Sequence, residues 1–248
     1  MRIIYILWLR QIKRYLRSKS RIIGSLAQPL LFLTALGFGF GPVYAKAGGG
    51  NYLQFIAPGV IAMSILFTSI FTGIEIIWDR QFGFLKETFV APVSRFQIVF
   101  GRVLGGATVA SIQGLVVLVL TTIFGFRPNN WFMLFPAVLV MLLIAIIFSA
   151  FGTAIASVLE DMQGFQLIMN FVVMPTFFFS GALFPLTGVP KALSFIARID
   201  PLTYGVDALR GILSGGNHIN MFLNLSIISG IMLFFLMAAS YLFSKMEI

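Results

Sequence analysis

The groups that could hold a metal ion or carry a proton near neutral pH are few: eight acidic residues and one histidine in 248, with no cysteine. Without cysteine there is no disulfide framework, thiolate metal site or sulfur nucleophile. The lone His218 stands beside Gly215, Gly216 and Asn217 and reads as a polar loop histidine at a membrane surface. One imidazole has no companions for a metal site. No His/Glu metal constellation and no nucleophile–base pair stands out, which disfavours an intramembrane enzyme. A Gly-x-x-x-x-Gly-Lys-Ser/Thr phosphate loop is also missing, so the chain is not expected to hydrolyse ATP by itself. Two charges do fall inside otherwise apolar stretches. Glu75 lies one helical turn before Asp79, and Arg102 about two turns after Ser94. Placed near one membrane interface on adjacent spans, Glu75 and Arg102 are expected to pair and brace the connection between them; the alternative is that each snorkels to water separately. A carrier driven by protons or sodium generally needs titratable or ion-coordinating groups near the midplane. The sequence offers none there, so the energy for any transport must come from elsewhere.

The elements that position these residues follow from composition. Hydrophobic residues make up 59% of the chain, charged residues 10%, and the mean hydropathy is +0.99. A water-soluble domain of this size cannot hide so much apolar surface. A bilayer core of ~30 Å is crossed by roughly 20 apolar residues, and six such stretches occur: 22–42, 53–78, 97–124, 131–158, 165–185 and 221–243. The expected fold class is an all-α membrane protein with six transmembrane helices.

Before the first stretch, residues 1–21 contain Arg2, Arg10, Lys13, Arg14, Arg17, Lys19 and Arg21 and no acid. Helical spacing gathers Ile4, Tyr5, Trp8, Ile12, Tyr15 and Leu16 on one side and most of the positive charges on the other. This predicts an amphipathic interfacial helix on an anionic leaflet, in contact with membrane lipid. Ala45-Lys46-Ala47 resembles a signal-peptidase site, but the basic region is too long and the apolar run too extended for a signal peptide. With the N-terminus inside, twelve Lys and Arg residues fall on the inner side and five on the outer. Both termini are therefore expected in the cytoplasm. The net charge of +9 is accounted for as an orientation signal, and no nucleic acid is needed to explain it. The abundant phenylalanines, 28 in all, would suit an aromatic-lined path as well as ordinary lipid and helix contacts. Gly37-x-x-x-Gly41 and Gly101-x-x-x-Gly105 are spaced for close helix contact.

Two segments are not plain spans. The first, Asp79 to Arg95, is too polar to cross and too apolar for a free loop. Phe82, Phe84, Leu85, Phe89 and Val90 could anchor a short surface helix that leaves Lys86 and Glu87 exposed. After Pro92, Ser94 and Gln97 form a plausible capping box for the next helix. The second lies between the fifth and sixth stretches. There Pro190 can open one short helix, and Asp200 with Pro201 is a good N-cap and first residue for another. Gly215 and Gly216 supply the stop. Two short helices after a span containing Pro175 and Pro185 suggest a re-entrant hairpin.

The run Gly83-Phe-Leu-Lys-Glu-Thr-Phe-Val-Ala-Pro-Val-Ser-Arg95 resembles the coupling-helix region of type-2 ATP-binding-cassette (ABC) exporter permeases, with Ala91 in place of the usual Thr. Downstream, Phe179-Ser-Gly-Ala-Leu-Phe-Pro185, Val189-Pro190 and Asp200-Pro-Leu-Thr-Tyr-Gly-Val-Asp-Ala-Leu-Arg210 resemble the same family's signature before its last span. Daunorubicin-type drug exporters and nodulation-factor or polysaccharide exporters share this half-size architecture. The resemblance implies an interfacial segment 1–21 and a six-span transmembrane domain 22–248. It implies a coupling helix at about 82–93, with Phe82, Gly83, Phe84, Leu85, Lys86, Glu87, Thr88 and Pro92 in contact with an ATPase. It also implies an outer gate at about 176–213, comprising Ser180, Gly181, Pro185, Pro190, Asp200, Pro201, Tyr204, Asp207 and Arg210. The partners implied are ABC ATPase subunits, which use ATP and Mg, and a second permease copy or paralogue. No cofactor or metal is expected on this chain. The implied function is export of a hydrophobic, amphipathic or lipid-linked compound across a prokaryotic inner membrane. An ATP-independent transporter or channel, or a scaffold without flux, is the alternative.

Overall fold

The computed structural model describes residues 2–48, 50–90, 92–216 and 219–246, and the Glu87 side chain and His218 lie outside the described residues. Thirteen α-helices and no strand occur among the described residues. Helix α1 (Arg2–Arg17) is followed by α2 (Lys19–Phe32), a π-helical turn at Leu33–Phe38 and the short α3 (Gly41–Lys46). Helix α4 (Tyr52–Phe71) continues after a break at Thr72–Gly73 into α5 (Ile74–Gln81), and α6 (Phe84–Val90) leads to α7 (Arg95–Ile123). A 3-10 turn at Trp131–Met133 opens α8 (Leu134–Val158). The fifth crossing is composite: α9 (Met162–Ile168), a π-helical turn (Met169–Val173) and α10 (Met174–Phe179). Helices α11 (Lys191–Ile199) and α12 (Pro201–Ser214) precede the last crossing, α13 (Met221–Ser244).

Six of these segments are long and apolar enough to cross a membrane: Lys19–Phe38, Tyr52–Gln81, Arg95–Ile123, Trp131–Val158, Met162–Phe179 and Met221–Ser244. They coincide with the six apolar stretches of the sequence. The second segment keeps more protein around it than the others, with 78% of its apolar window buried against 11% for the first and 22% for the fifth. The core is therefore built by α4, α7 and α8, and the first, fifth and sixth crossings form its margin. Of these, the first and fifth each contain a proline, Pro29 and Pro175, and a neighbouring π-turn. Pro175 withholds one backbone N–H and crowds the carbonyl a turn earlier, and the widened turn at Met169–Val173 relieves that conflict.

Helix α1 is seated against protein as well as being amphipathic. It lies along α7, where a β-carbon on Gly101 would come within 3.1 Å of Ile4 and Leu7, and one on Gly105 within 2.7 Å of Gln11. The Gly101-x-x-x-Gly105 pair is thus a groove for α1. Trp8 Nε1 donates to Thr108 Oγ1 at 3.0 Å, and the Tyr15 hydroxyl donates to Gln113 Oε1. Tyr5, Ile6 and Leu16 remain exposed. Burial pushes the Tyr15 phenol above its ordinary range, despite the opposing charge of Arg21. In the other glycine pair, a β-carbon on Gly37 would stand 3.1 Å from Leu53, whereas one on Gly41 would face open space.

Candidate functional site

Two polar clusters stand out against the apolar spans: one holds Glu75 and Asp79 near the end of the second crossing, and the other meets Phe55 near its start. The first centres on α5. Glu75 and Asp79, four residues apart, occupy one face of that helix, and both are buried. Asp79 accepts from Arg102 on α7 and from Arg10 on α1, the latter at 3.1 Å. Glu75 accepts from Arg21 at 2.9 Å and Arg14 at 3.5 Å. The direct Glu75–Arg102 bridge expected from sequence is therefore corrected: Arg102 pairs with Asp79, and Glu75 faces the N-terminal helices. The physical reason is the seating of α1 on α7, which carries Arg10 to Asp79 and Arg14 to Glu75, while α2 brings Arg21 to Glu75. Arg14 also lies 5.4 Å from the Trp78 ring centroid.

Immediately beyond α5, Gly83 adopts φ +78°, a left-handed conformation that costs glycine little. It turns the chain into α6. Leu85 is fully buried and anchors that helix, while Phe82, Phe84 and Val90 are exposed, as is Lys86. Thr88 Oγ1 donates to the Phe84 carbonyl at 3.1 Å. Phe89 packs edge-on against Phe243 near the end of α13, and the Arg95 guanidinium lies 3.3 Å from the Phe89 ring centroid. Exposed Pro92 lies in the link to α7, whose N-cap is Ser94, accepting from the Gln97 N–H at 3.3 Å. Arg80 bridges to Glu160 at 2.8 Å, and Trp78 Nε1 donates to Met162 Sδ at 3.0 Å. The connection after the second span is thus tied to the connection between the fourth and fifth spans.

The second cluster surrounds α12. Asp200, Thr203, Asp207 and Arg210 recur at spacings of three, four and three, which places them along one stripe of the helix, and all are buried. Asp200 caps α12 by accepting from the Leu202 N–H at 2.9 Å, with Pro201 as the first helical residue. Burial pushes the Asp200 carboxyl up to about 7, partly opposed by the Leu202 bond. Asp207 accepts from Asn224 Nδ2 at 2.9 Å and from the Ile219 N–H at 3.0 Å. Arg210 donates to the Gly181 carbonyl at 2.9 Å and sits 4.1 Å from the Phe55 ring centroid. Tyr204 donates to the Arg198 carbonyl at 2.6 Å. Ser180 Oγ donates to the Phe177 carbonyl and accepts from the Ala182 N–H. Half-buried Pro185 lies in the turn before α11, and exposed Pro190 is the N-cap of α11. A β-carbon on Gly59 would stand 2.4 Å from the Ala182 carbonyl, so α4 and this turn meet backbone to backbone. Every residue assigned by sequence to an outer gate lies in or beside this assembly. Thr203 and Asn224 belong to it and were not singled out from sequence. The period of the α12 stripe was the available signal for Thr203, whereas Asn224 comes from another helix.

Among the described residues, no group of three or more His, Cys, Asp or Glu could hold a metal ion.

The arrangement is that of a multi-pass membrane permease: six apolar crossings, an N-terminal helix seated on them, and polar assemblies at both ends. Residues 2–214 match the family described as "ABC-2 type transporter", and the chain belongs to that family. It is 30% identical over 200 residues to Nodulation protein J of Rhizobium meliloti (strain 1021), covering 79% of this chain and 75% of that protein. It is 28% identical over 213 residues to Nodulation protein J of Rhizobium leguminosarum bv. viciae, covering 84% and 81%. Similarity to the putative transport permease ycf38 of Cyanophora paradoxa reaches 29% over 201 residues, covering 78% and 68%.

Proposed function

We propose that this chain is the membrane-spanning subunit of an ATP-driven ABC exporter in a prokaryotic inner membrane, moving a hydrophobic, amphipathic or lipid-linked compound outward. ATP and Mg are used by separate ATPase subunits, and two permease chains, identical or paralogous, form the path. Both termini and α6 face the cytoplasm, and the α11–α12 hairpin is the outer gate.

The observation that carries this reading is α6. It is anchored from beneath by buried Leu85, yet presents Phe82, Phe84 and Val90 outward at the end of the molecule that is cross-tied through Arg80 and Glu160. Apolar side chains held at the tip of a rigid connection form a natural socket for a soluble partner. The connection is also stiff enough to pass on that partner's motion. Glu75 and Asp79 tie α5 to α1, α2 and α7, so a displacement of α6 reaches three further helices. ATP-driven closure of the ATPases would move α6, rearrange these spans and release the hairpin.

A pull-down of the tagged protein from its native membrane, with mass spectrometry of its companions, tests this reading. A stoichiometric ABC ATPase, lost when residues 82–93 are altered, is the expected result. Recovery of an intact permease with no ATPase under gentle detergent would overturn it.

A further inference from the structure

We propose that the cavity between the α1–α2 junction and α4–α5 binds an anionic amphiphile, whose charged head takes over Arg14 and Arg21 from Glu75. As the identity of the cargo, this rests on the permease reading above; as a binding site, it does not.

The cavity has a volume of about 640 Å³, large enough for a chain-bearing ligand. Its two ends differ chemically. Arg14, Arg21 and Trp78 stand at one end, while Pro29, Met63 and Phe67 line the other. Arg21 and Pro29 are eight residues apart on α2, a separation of about 12 Å along a helix. A head at the arginines therefore leaves room for a tail running beside Phe67 and Pro29.

Charge identifies the head. Two guanidiniums share the single Glu75 carboxylate, so this end of the cavity carries one positive charge more than it neutralises. The arginine side chains keep 37% and 31% of their exposure, whereas that of Glu75 keeps 4%. The carboxylate is enclosed and the cations face the open volume. Arg14 reaches Glu75 only at 3.5 Å, a length that leaves much of its hydrogen-bonding capacity uncommitted. A phosphate or carboxylate head offers the guanidiniums shorter, charge-assisted bonds. Farther in, the Gln28 amide has only a 4.0 Å contact with Met63 Sδ, which leaves it free to bind a polar group near the head–tail junction.

The same geometry links occupancy to coupling. Glu75 lies on α5, which ends at Gln81, just before Gly83 turns the chain into α6. A ligand that draws Arg14 and Arg21 away frees Glu75 from α1 and α2, while Asp79 remains held by Arg10 and Arg102. The cavity ligand and Glu75 thus compete for one pair of arginines.

The test titrates the purified permease, in phosphatidylcholine nanodiscs, with dodecyl phosphate, dodecyl maltoside or inorganic phosphate. Saturable, salt-sensitive binding of dodecyl phosphate alone is expected. Glu75→Gln should tighten it by about tenfold, and Arg14→Gln/Arg21→Gln should weaken it by at least about tenfold. Because that double variant strands a buried carboxylate, the triple variant with Glu75→Gln provides a charge-balanced control and should bind as weakly. Arg17→Gln, a neighbouring exposed cation outside the cavity, should bind like the wild type. Phosphatidylglycerol in the disc that competes would identify a bilayer lipid as occupant, and failure to compete would identify cargo of the same chemistry. Equal binding of dodecyl maltoside, undiminished binding by the triple variant, or an equal loss in Arg17→Gln would overturn the proposal. An ATPase in the pull-down without selective binding here removes this site and leaves the exporter reading. Selective binding without an ATPase keeps the site and removes the energy source.

Discussion

The α5 cluster and the α12 cluster both bury carboxylates and guanidiniums in an apolar protein, yet they are stabilised in different ways. On α5 each carboxylate is matched by arginines from other helices, including the seated but marginal α1 and α2. On α12 the partners of the charged groups include backbone and amide groups: the Leu202 and Ile219 N–H groups, the Gly181 carbonyl and Asn224. An ion pair between helices can be exchanged for another when the helices move. A guanidinium pinned to a backbone carbonyl holds that turn in place. The first cluster can therefore change partners as its helices shift, whereas the second fixes α12 against the turn at Gly181.

The largest effect should come from breaking the rigid end. Arg210→Ala deprives the Gly181 carbonyl of its donor and Asp207 of its nearby positive charge. It should cost about 3–5 kcal/mol, the usual range for removing one member of a buried charged set, read as a lowered unfolding midpoint in detergent. Asp79→Asn should follow at about 2–4 kcal/mol, because Arg102 is buried with Asp79 as its ion-pair partner. Its signature should be loss of α1 from the α7 groove, visible as faster hydrogen exchange over residues 2–17.

The hairpin should also titrate. Asp200 has its folded pKa raised to about 7 from 3.8. The neutral acid is the form that the fold favours, so its contribution is fully present below about 4 and is lost as pH rises through 7. Wild type should therefore be more stable at pH 5 than at pH 8, by up to a few kcal/mol from this group. Asp200→Asn keeps an oxygen to cap α12 without the charge and should flatten that dependence. A pH profile unchanged in the variant would remove Asp200 as its cause. The smallest effect is expected for Glu160→Gln. This carboxylate side chain is 77% exposed, and exposed ion pairs contribute ~0–1 kcal/mol. A loss comparable to that of Asp79→Asn would abolish the contrast between buried and exposed charge drawn here.

Much of this was legible from residue order. The six crossings were visible because a bilayer demands runs of about 20 apolar residues, and such runs survive without knowledge of neighbours. The N-caps at Ser94 and Asp200 were visible because capping acts within three residues. The polar residues of α12 were visible as a motif, although their contacts were not. The Glu75–Arg102 pairing was misread for a specific reason. The two residues are close to the same interface, but the seat of α1 against Gly101 and Gly105 brings Arg10 and Arg14 to the carboxylates, and α2 adds Arg21.

The sequence by itself determined that this protein lives in a membrane, how often it crosses, and where its short polar connections begin. Those properties depend on local apolarity and on backbone groups that must be satisfied within each helix. Tertiary structure alone decided which cation each buried carboxylate meets, which turn Arg210 pins, and where a basic-ended cavity opens. Such pairings join residues 23 to 69 positions apart, and only the packing of one helix upon another selects among the partners that charge alone would permit.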